Sequence, residues 1–303
     1  MVDLSVDLGF LRLKNPVLAA SGTFGYGLEF KPFFDLELLG GFVVKGLYLK
    51  PREGNRPPRL VETPSGLINS IGLQGIGVEA FCREVLPELA GLKTAIIVNV
   101  CGEEEDEYAR VAEYLGRQQG LAALELNISC PNVREGGRCP AQNPEATYRT
   151  VQKVKQVTSL PVITKLSPNV TDITSVALAA EEAGTEAISL INTLLAMAID
   201  LETRKPRLGN VMGGLSGPAI KPIALRLVFQ VARAVKVPVI GMGGIFTAED
   251  ALEFMMAGAA AVQVGTANFV DPDACLKIIR GLESWAEKHG INKISEITGS
   301  LRV

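Results

Sequence analysis

Short apolar runs rich in Val, Ile and Ala recur along the chain, separated by longer segments of mixed polarity. An apolar run of this length, bounded by Gly, Pro or Asn, is typical of a strand buried on both faces of a parallel sheet. The predicted strands are Val17–Ala20, Gly41–Leu49, Thr94–Val100, Ala122–Ile128, Val162–Leu166, Ala187–Ile191, Val239–Met242 and Ala261–Val264.

The segments between these strands space their apolar residues as amphipathic helices do, and several begin with a capping residue or Pro and end near Gly. Eight strands that alternate with helices over 303 residues predict a (β/α)8 TIM barrel. A doubly wound parallel sheet is the alternative, but it would need fewer strands. The predicted helices are Glu104–Gln119, Pro144–Thr158, Asp172–Ala183, Pro222–Val235, Ala248–Ala257 and Pro272–Lys288.

Three connections are longer than barrel loops usually are. They span Lys50 to Gln74, Pro131 to Asn143 and Thr193 to Gly217, and each follows a predicted strand. In a barrel such loops gather at the C-terminal face, where active sites lie. The opening "VDLSVDLGFLRLKNPV" alternates apolar and polar residues and predicts an N-terminal β-hairpin. No low-complexity linker divides the chain, so residues 1–303 are expected to form one domain.

Polar residues and glycines stand where the predicted strands end. Lysine within an apolar strand must either form a buried ion pair or face a ligand, and the sequence leaves both interpretations open for Lys45 and Lys165. A ring of amides, hydroxyls and lysines at one edge favours a ligand site. Its members are Ser21, Gly22, Lys45, Gly46, Asn99, Asn127, Ser129, Cys130, Lys165, Asn192, Thr193, Gly243, Gly244, Gly265 and Thr266.

The last two strands are followed by "GMGGIFTAED" and "VGTANF", which place glycines between a strand and a helix. Exposed backbone N–H groups at such positions bind phosphate, although tight turns alone would need the same glycines. A phosphate cradle combined with lysines and carboxamides suits flavin mononucleotide (FMN), because the flavin ring presents alternating acceptors and donors.

Charge and cysteine usage narrow the function further. The net charge of −3 comes from well-mixed residues, so a nucleic-acid partner is not expected. No apolar run reaches the roughly 18 residues of a membrane span, and the N-terminus lacks the features of a signal peptide, so a cytoplasmic enzyme is expected. Five cysteines without a Cys-x-x-Cys pair predict no disulfide framework, zinc site or iron–sulfur cluster in this chain. The only histidine, His289, lies in a polar segment near the C-terminus, so acid–base chemistry is expected to use another group.

Four segments resemble the dihydroorotate dehydrogenases, FMN enzymes of pyrimidine biosynthesis that oxidise dihydroorotate to orotate. They are "ELNISCPNV", "VVKGLYLKPREGNRPPRLVETPSGLINSIGLQG", "MGGLSGPAIKPIALRLV" and "GMGGIFTAEDALEFMMAGAAAVQVGTA". A cysteine after the fourth strand resembles the class 1 enzymes, since class 2 members use serine at this position. Class 2 members also carry a membrane-associating N-terminal extension, which we do not expect here. The loops "REGNRPPRLVETPSGLINSIGLQG" and "DLETRKPRLGNVMGGLSGPAIKPIAL" resemble class 1B, the NAD-linked type. That type pairs the FMN chain with a second chain carrying FAD and a 2Fe–2S cluster, in a heterotetramer of two of each chain.

The resemblance implies a role for each matching residue. Cys130 would take the C5 proton of dihydroorotate while hydride passes to FMN, and Lys45 would bridge substrate and flavin. FMN would be held by Ser21, Lys45, Gly46, Asn99, Asn127, Lys165, Ile191, Gly217, Gly243, Gly244, Gly265 and Thr266. Dihydroorotate would be bound by Lys45, Asn69, Ser70, Ile71, Gly72, Leu73, Asn127, Asn132, Asn192 and Thr193.

Other functions fit parts of the same pattern. A fumarate-linked class 1A enzyme would share the site but need no partner. A dihydropyrimidine dehydrogenase-like barrel would prefer an uncharged pyrimidine, and a tRNA dihydrouridine synthase-like protein would show a basic surface, which the net charge argues against. From a different class, the chain could be an FMN- or phosphate-binding barrel that only serves as an interaction subunit.

Overall fold

A closed barrel of eight parallel strands forms the centre of the protein. The computed structural model describes residues 2–128 and 143–303. The barrel strands follow one another in the order β3-β4-β7-β8-β9-β10-β15-β16, and β16 pairs with β3 to close the ring. In chain order the strands are β1 (Val6–Asp7), β2 (Arg12–Leu13), β3 (Val17–Ala19), β4 (Gly41–Leu47), β5 (Leu60–Thr63), β6 (Gly66–Asn69), β7 (Ala95–Val100), β8 (Ala123–Asn127), β9 (Val162–Leu166), β10 (Ala187–Leu190), β11 (Leu194–Met197), β12 (Ile199–Asp200), β13 (Lys205–Pro206), β14 (Met212–Ser216), β15 (Val239–Met242) and β16 (Ala261–Val264).

Helices cover the outside of the barrel and bury its strands in one apolar core. Parallel strands covered in this way read as continuous apolar runs, which is why the sequence pattern identifies them. The (β/α)8 prediction is confirmed, and each predicted strand lies within about two residues of an observed one. The helices are α1 (Val78–Ala80), α2 (Leu86–Leu89), α3 (Glu105–Gly116), α4 (Pro144–Val157), α5 (Ile173–Glu182), α6 (Lys221–Ala232), α7 (Ala248–Met256), α8 (Ala267–Val270) and α9 (Ala274–Lys288).

The connection between β4 and β7 contains β5 and β6 and then a helical segment that the sequence pattern does not predict. This segment consists of α1, a π-helical turn Phe81–Val85 and α2. Each piece is too short to show a 3.6-residue period clearly. Pro87 lies in the first turn of α2, but in the sequence alone a proline at this point suggests that a helix is interrupted.

Two of the three long connections form a sheet of their own. The segments Leu60–Asn69 and Leu194–Ser216 pair into a four-stranded antiparallel sheet in the order β11-β14-β6-β5, which we call the loop sheet. It has a small apolar cluster of Val61, Ile68 and Leu208. The third connection lies almost wholly in residues 129–142, outside the described residues.

The predicted N-terminal hairpin is present. Strands β1 and β2 pair antiparallel, and Val6 and Leu13 are buried in the barrel core. Among the described helices, none is both long and apolar enough to span a membrane.

Candidate active site

A cavity of about 650 Å³ lies at the C-terminal ends of the barrel strands, between the barrel and the loop sheet. It brings together every predicted site residue that falls within residues 2–128 and 143–303. Cys130 and Asn132 lie outside the described residues, as do Ser129 and Cys139. The predicted residues that line the cavity are Ser21, Lys45, Gly46, Asn69, Ser70, Ile71, Gly72, Leu73, Asn99, Asn127, Lys165, Ile191, Asn192, Thr193, Gly217, Gly243, Gly244, Gly265 and Thr266.

A buried carboxylate organises the polar side chains beneath the cavity. Glu125, on β8, is fully buried, and its two oxygens accept hydrogen bonds from three side chains. The donors are Asn99 Nδ2 at 2.8 Å, Ser189 Oγ at 2.9 Å and Gln263 Nε2 at 2.7 Å. Lys165 Nζ lies 3.6 Å from Glu125 Oε1. We call these five residues the barrel floor.

Three asparagines continue from the floor as a directed chain. Because the carboxylate of Glu125 only accepts, Asn99 must turn its amide nitrogen towards it. Asn99 Oδ1 then accepts from Asn127 Nδ2 at 3.4 Å, and Asn127 Oδ1 accepts from Asn192 Nδ2 at 3.2 Å. The chain ends at Asn192 Oδ1, which accepts from the backbone N–H of Thr193 at 2.8 Å. One buried carboxylate is therefore connected to the orientation of these three amides.

The two strand lysines have different surroundings. Lys165 is almost fully buried and pairs with Glu125, so it both forms an ion pair and lines the cavity. Lys45 forms no salt bridge with any carboxylate of residues 2–128 and 143–303, and burial lowers its pKa, with the neighbouring Arg59 lowering it further and Glu29 opposing the shift. A desolvated ammonium without a carboxylate partner suits a ligand that brings its own negative charge.

Backbone irregularity places Lys45 in the cavity. The register of β4 against β7 shifts between Val44 and Leu47, and the backbone N–H of Lys45 bonds to Gly25 instead of to the neighbouring strand. A bulge of this kind re-aims a side chain, which is why bulges recur beside active sites.

Glycines open a cradle at the ends of β15 and β16. Gly243 and Gly244 have φ of 120° and 80°, a region that side chains disfavour. A Cβ on Gly244 would come within 2.9 Å of the backbone nitrogen of Lys221. Within the described residues, the backbone N–H groups of Gly243, Gly244 and Thr266 have no acceptor.

A capping box closes the N-terminus of α7, which follows Gly243 and Gly244 in the chain. The Asp250 carboxylate accepts from the backbone N–H groups of Phe246 and Thr247, and the Thr247 hydroxyl accepts from the N–H of Asp250.

Sequence reasoning missed Arg59, Glu125 and Gln263. Arg59 lines the cavity from the loop sheet and, with Lys45 and Lys165, makes its charged lining entirely cationic among the described residues. The signal for Glu125 and Gln263 was available, because each interrupts an apolar strand as the two lysines do. Two buried polar atoms have no hydrogen-bond partner among the described residues, namely Ser70 Oγ and Gln263 Oε1, and both residues line the cavity.

The described thiols away from the cavity are protected by burial. Desolvation raises the pKa of Cys82 to about 11 and that of Cys275 to about 12, so both stay protonated near neutral pH. Among residues 2–128 and 143–303, no group of three or more His, Cys, Asp or Glu side chains is placed to hold a metal ion.

Comparison with known proteins decides the family. The family model for dihydroorotate dehydrogenase matches residues 3–285. The chain belongs to the dihydroorotate dehydrogenase family. Three relatives named "dihydroorotate dehydrogenase B (NAD(+)), catalytic subunit" are similar to it almost end to end. The protein of Geotalea uraniireducens is 55% identical over 99% of this chain and 98% of its own length. That of Trichlorobacter lovleyi is 56% identical over 98% of both chains, and that of Desulforudis audaxviator is 56% identical over 99% of this chain and 97% of its own.

Proposed function

We propose that this member of the dihydroorotate dehydrogenase family is the catalytic, FMN-binding subunit of a class 1B enzyme, which oxidises dihydroorotate to orotate with NAD as the final acceptor. The observation that carries the proposal is the cavity, whose charged lining within the described residues is cationic and whose neutral lining is rich in carboxamides. Residues 1–303 would act as one FMN-binding domain.

The residues present fit FMN. The cavity volume of about 650 Å³ falls in the range of cofactor pockets. The glycine cradle offers unused N–H groups to a phosphate, and the orphaned acceptor on the floor offers a partner to a flavin or ribityl donor. When bound, FMN would supply the acceptor for the hydride that leaves C6 of dihydroorotate. Phosphate would be held by Gly243, Gly244, Gly265 and Thr266, and the rest of the cofactor by Ser21, Lys45, Gly46, Asn99, Asn127, Lys165, Ile191 and Gly217.

The chain would bind dihydroorotate between the barrel and the loop sheet. Lys45, whose ammonium has no carboxylate partner within the described residues, would meet the substrate carboxylate. Carboxamides match a cyclic ureide because each offers one donor and one acceptor group without adding charge. The substrate contacts would be made by Lys45, Asn69, Ser70, Ile71, Gly72, Leu73, Asn127, Asn132, Asn192 and Thr193.

Cys130 would be the base that removes the C5 proton, which moves from C5 to Sγ of its thiolate. Cys130 follows β8, the strand that carries Glu125 and Asn127, so it belongs to the segment nearest the asparagine chain in sequence. The proposal rests on the family motif "ELNISCPNV". Cys82 and Cys275 are poor alternatives, because their raised pKa keeps both thiols protonated near neutral pH.

Electrons would leave through a second chain carrying FAD and a 2Fe–2S cluster, in a heterotetramer of two of each chain. Support comes from the words "NAD(+)" and "catalytic subunit" in the relatives' names. A cytoplasmic location would give this assembly access to NAD.

Anaerobic mixing tests the proposed function directly. Dihydroorotate should bleach the bound flavin by giving up a hydride, whereas dihydrouracil, the reduced uncharged pyrimidine, should not. Bleaching by dihydrouracil alone would favour a dihydropyrimidine dehydrogenase-like activity. A flavin that dihydroorotate leaves oxidised would indicate a binding module. NAD reduction should require the partner chain, and strong fumarate reduction by this chain alone would indicate class 1A instead.

A further inference from the structure

Gln263 is a floor residue to which the family motif assigns no role. It lies on β16, is fully buried and lines the cavity two positions before the glycine that opens the cradle. Its amide nitrogen donates to Glu125 Oε2 at 2.7 Å.

Glu125 determines which atom of the Gln263 amide is left over. Because the amide nitrogen of Gln263 donates to Glu125, its carbonyl oxygen must point elsewhere. Asn99 and Ser189 engage the same carboxylate from two other strands, which holds it in place. A flip of the Gln263 amide would put two acceptors against each other.

The Gln263 carbonyl oxygen has no hydrogen-bond partner among residues 2–128 and 143–303. A buried acceptor without a donor is costly, and such orphans in native proteins usually await a ligand. The bond to Glu125 therefore maintains an unused, buried acceptor in a residue that lines the cavity.

We propose that Gln263 is a further flavin-binding residue, whose Oε1 accepts a hydrogen bond from an N–H or hydroxyl group of FMN, and that Glu125 is the positioning residue that turns this oxygen towards the cofactor. The inference rests on the proposed function, because it requires FMN in this cavity. FMN is favoured over dihydroorotate since Gln263 belongs to the barrel floor and shares its strand with the phosphate cradle, whereas the substrate would lie towards the loop sheet.

Titration of FMN into the apoprotein tests the proposal, with flavin fluorescence quenching as the readout. Gln263→Met keeps the approximate shape of the side chain but removes the acceptor, and it should raise the Kd for FMN about tenfold. Glu125→Gln should raise the Kd as well, because glutamine at 125 can donate and lets the Gln263 amide turn over. Since both changes disturb one hydrogen bond, their effects should not add in the double variant.

FMN analogues separate a cofactor contact from a structural role. Each analogue lacks a single hydrogen-bond donor of FMN, either the ring N3–H or one of the ribityl hydroxyls. The Kd penalty of Gln263→Met should disappear with the one analogue that lacks the partner of Oε1. A penalty that is the same with every analogue, or no penalty with FMN itself, would overturn the proposal.

Thr164→Val is the matched control. Thr164 is a fully buried polar residue of the neighbouring part of the barrel, its hydroxyl donates to Thr185, and it does not line the cavity. It should lower the melting temperature without changing the Kd for FMN; an equal Kd penalty in this variant would overturn the specific role of Gln263. Failure of the unaltered apoprotein to bind FMN would refute the proposed function, whereas normal FMN binding by both Gln263→Met and the unaltered protein would refute this inference alone.

Discussion

The barrel floor and the loop sheet border the same cavity but are built in opposite ways. Floor side chains are buried, charged or amide-bearing, and held by hydrogen bonds between different strands. The loop sheet rests on a three-residue apolar cluster and leaves Leu60, Leu195, Met197 and Met212 about half exposed. A buried network whose members hold one another by hydrogen bonds keeps its geometry, whereas an element with few buried contacts opens at lower cost. The floor is thus suited to a resident cofactor and the loop sheet to a substrate that enters and leaves.

The largest effect is expected from a change outside both regions, at Cys130. This change tests whether the segment that follows β8 provides the base. Cys130→Ser should lower turnover at neutral pH by roughly 10²- to 10⁴-fold, while FMN stays bound, because a serine hydroxyl is far less acidic than a thiol and is a weaker base in a site built around cysteine. Stopped-flow flavin reduction measures this step. Cys139→Ser, a change in the same segment, should remain close to the unaltered protein. Full turnover by Cys130→Ser would assign the proton transfer elsewhere.

The floor should behave as one coupled unit in unfolding. Lys165→Met leaves the buried carboxylate of Glu125 without its cation and should reduce the free energy of unfolding by about 3 kcal/mol. The double variant Lys165→Met/Glu125→Gln should recover much of that loss. Urea unfolding of the apoprotein provides the measurement.

Lys155→Met is the control for this prediction, because the Lys155–Glu186 pair is partly exposed and should contribute at most about 1 kcal/mol. If Lys165→Met costs no more than Lys155→Met, the floor is not a coupled network and the contrast with the loop sheet fails.

A loop-sheet change should separate substrate binding from cofactor binding. Asn69→Ala removes an amide from β6 whose one described side-chain bond is a long contact of 3.4 Å to Gly214. It should weaken dihydroorotate binding about tenfold through one lost hydrogen bond, with FMN affinity unchanged. The steady-state KM for dihydroorotate tests the first effect, and FMN titration tests the second. Glu62→Ala, an exposed change on β5, should alter neither the KM nor the FMN affinity. A loss of FMN affinity in Asn69→Ala would erase the division between the two regions.

The smallest expected effect is a pH dependence at Lys45, where the two regions meet. Burial and Arg59 lower the pKa of Lys45 below 10.5, so its positive charge is lost at a lower pH than that of an exposed lysine. Orotate affinity should hold near pH 7 and fall severalfold as the pH rises through that pKa. Titrations of orotate between pH 7 and pH 10 measure the fall. Lys45→Met should bind weakly at every pH, and an unchanged pH profile in this variant would show that another group titrates.

Local sequence signals were sufficient for the barrel and for the polar residues and glycines that line the cavity at the strand ends, whereas residues 69–73, Ile191 and Gly217 were predicted from the family resemblance. Buried parallel strands need continuous apolar runs, and their carboxyl ends meet at one face, so polar residues placed after each run identify the site without coordinates. The same reasoning could have included Glu125 and Gln263, which interrupt apolar strands as Lys45 and Lys165 do. It passed over them because a single strand does not show that the two side chains meet across the barrel.

What the sequence determined by itself is therefore periodic or local: the order of strands and helices, the edge that carries the chemistry, and the glycines at the phosphate cradle. Tertiary structure alone decided which distant groups become partners. Glu125 and Gln263 are 138 positions apart in the chain and bond only because the barrel closes. The loop sheet forms from two connections that pair across the mouth, and the shift in β4 aims Lys45 into the cavity. The physical reason is that burying one face of a helix or strand requires apolar residues at a regular spacing, which the sequence shows directly. Hydrogen bonds and ion pairs instead depend on distances between atoms, and no local pattern of residues gives those distances.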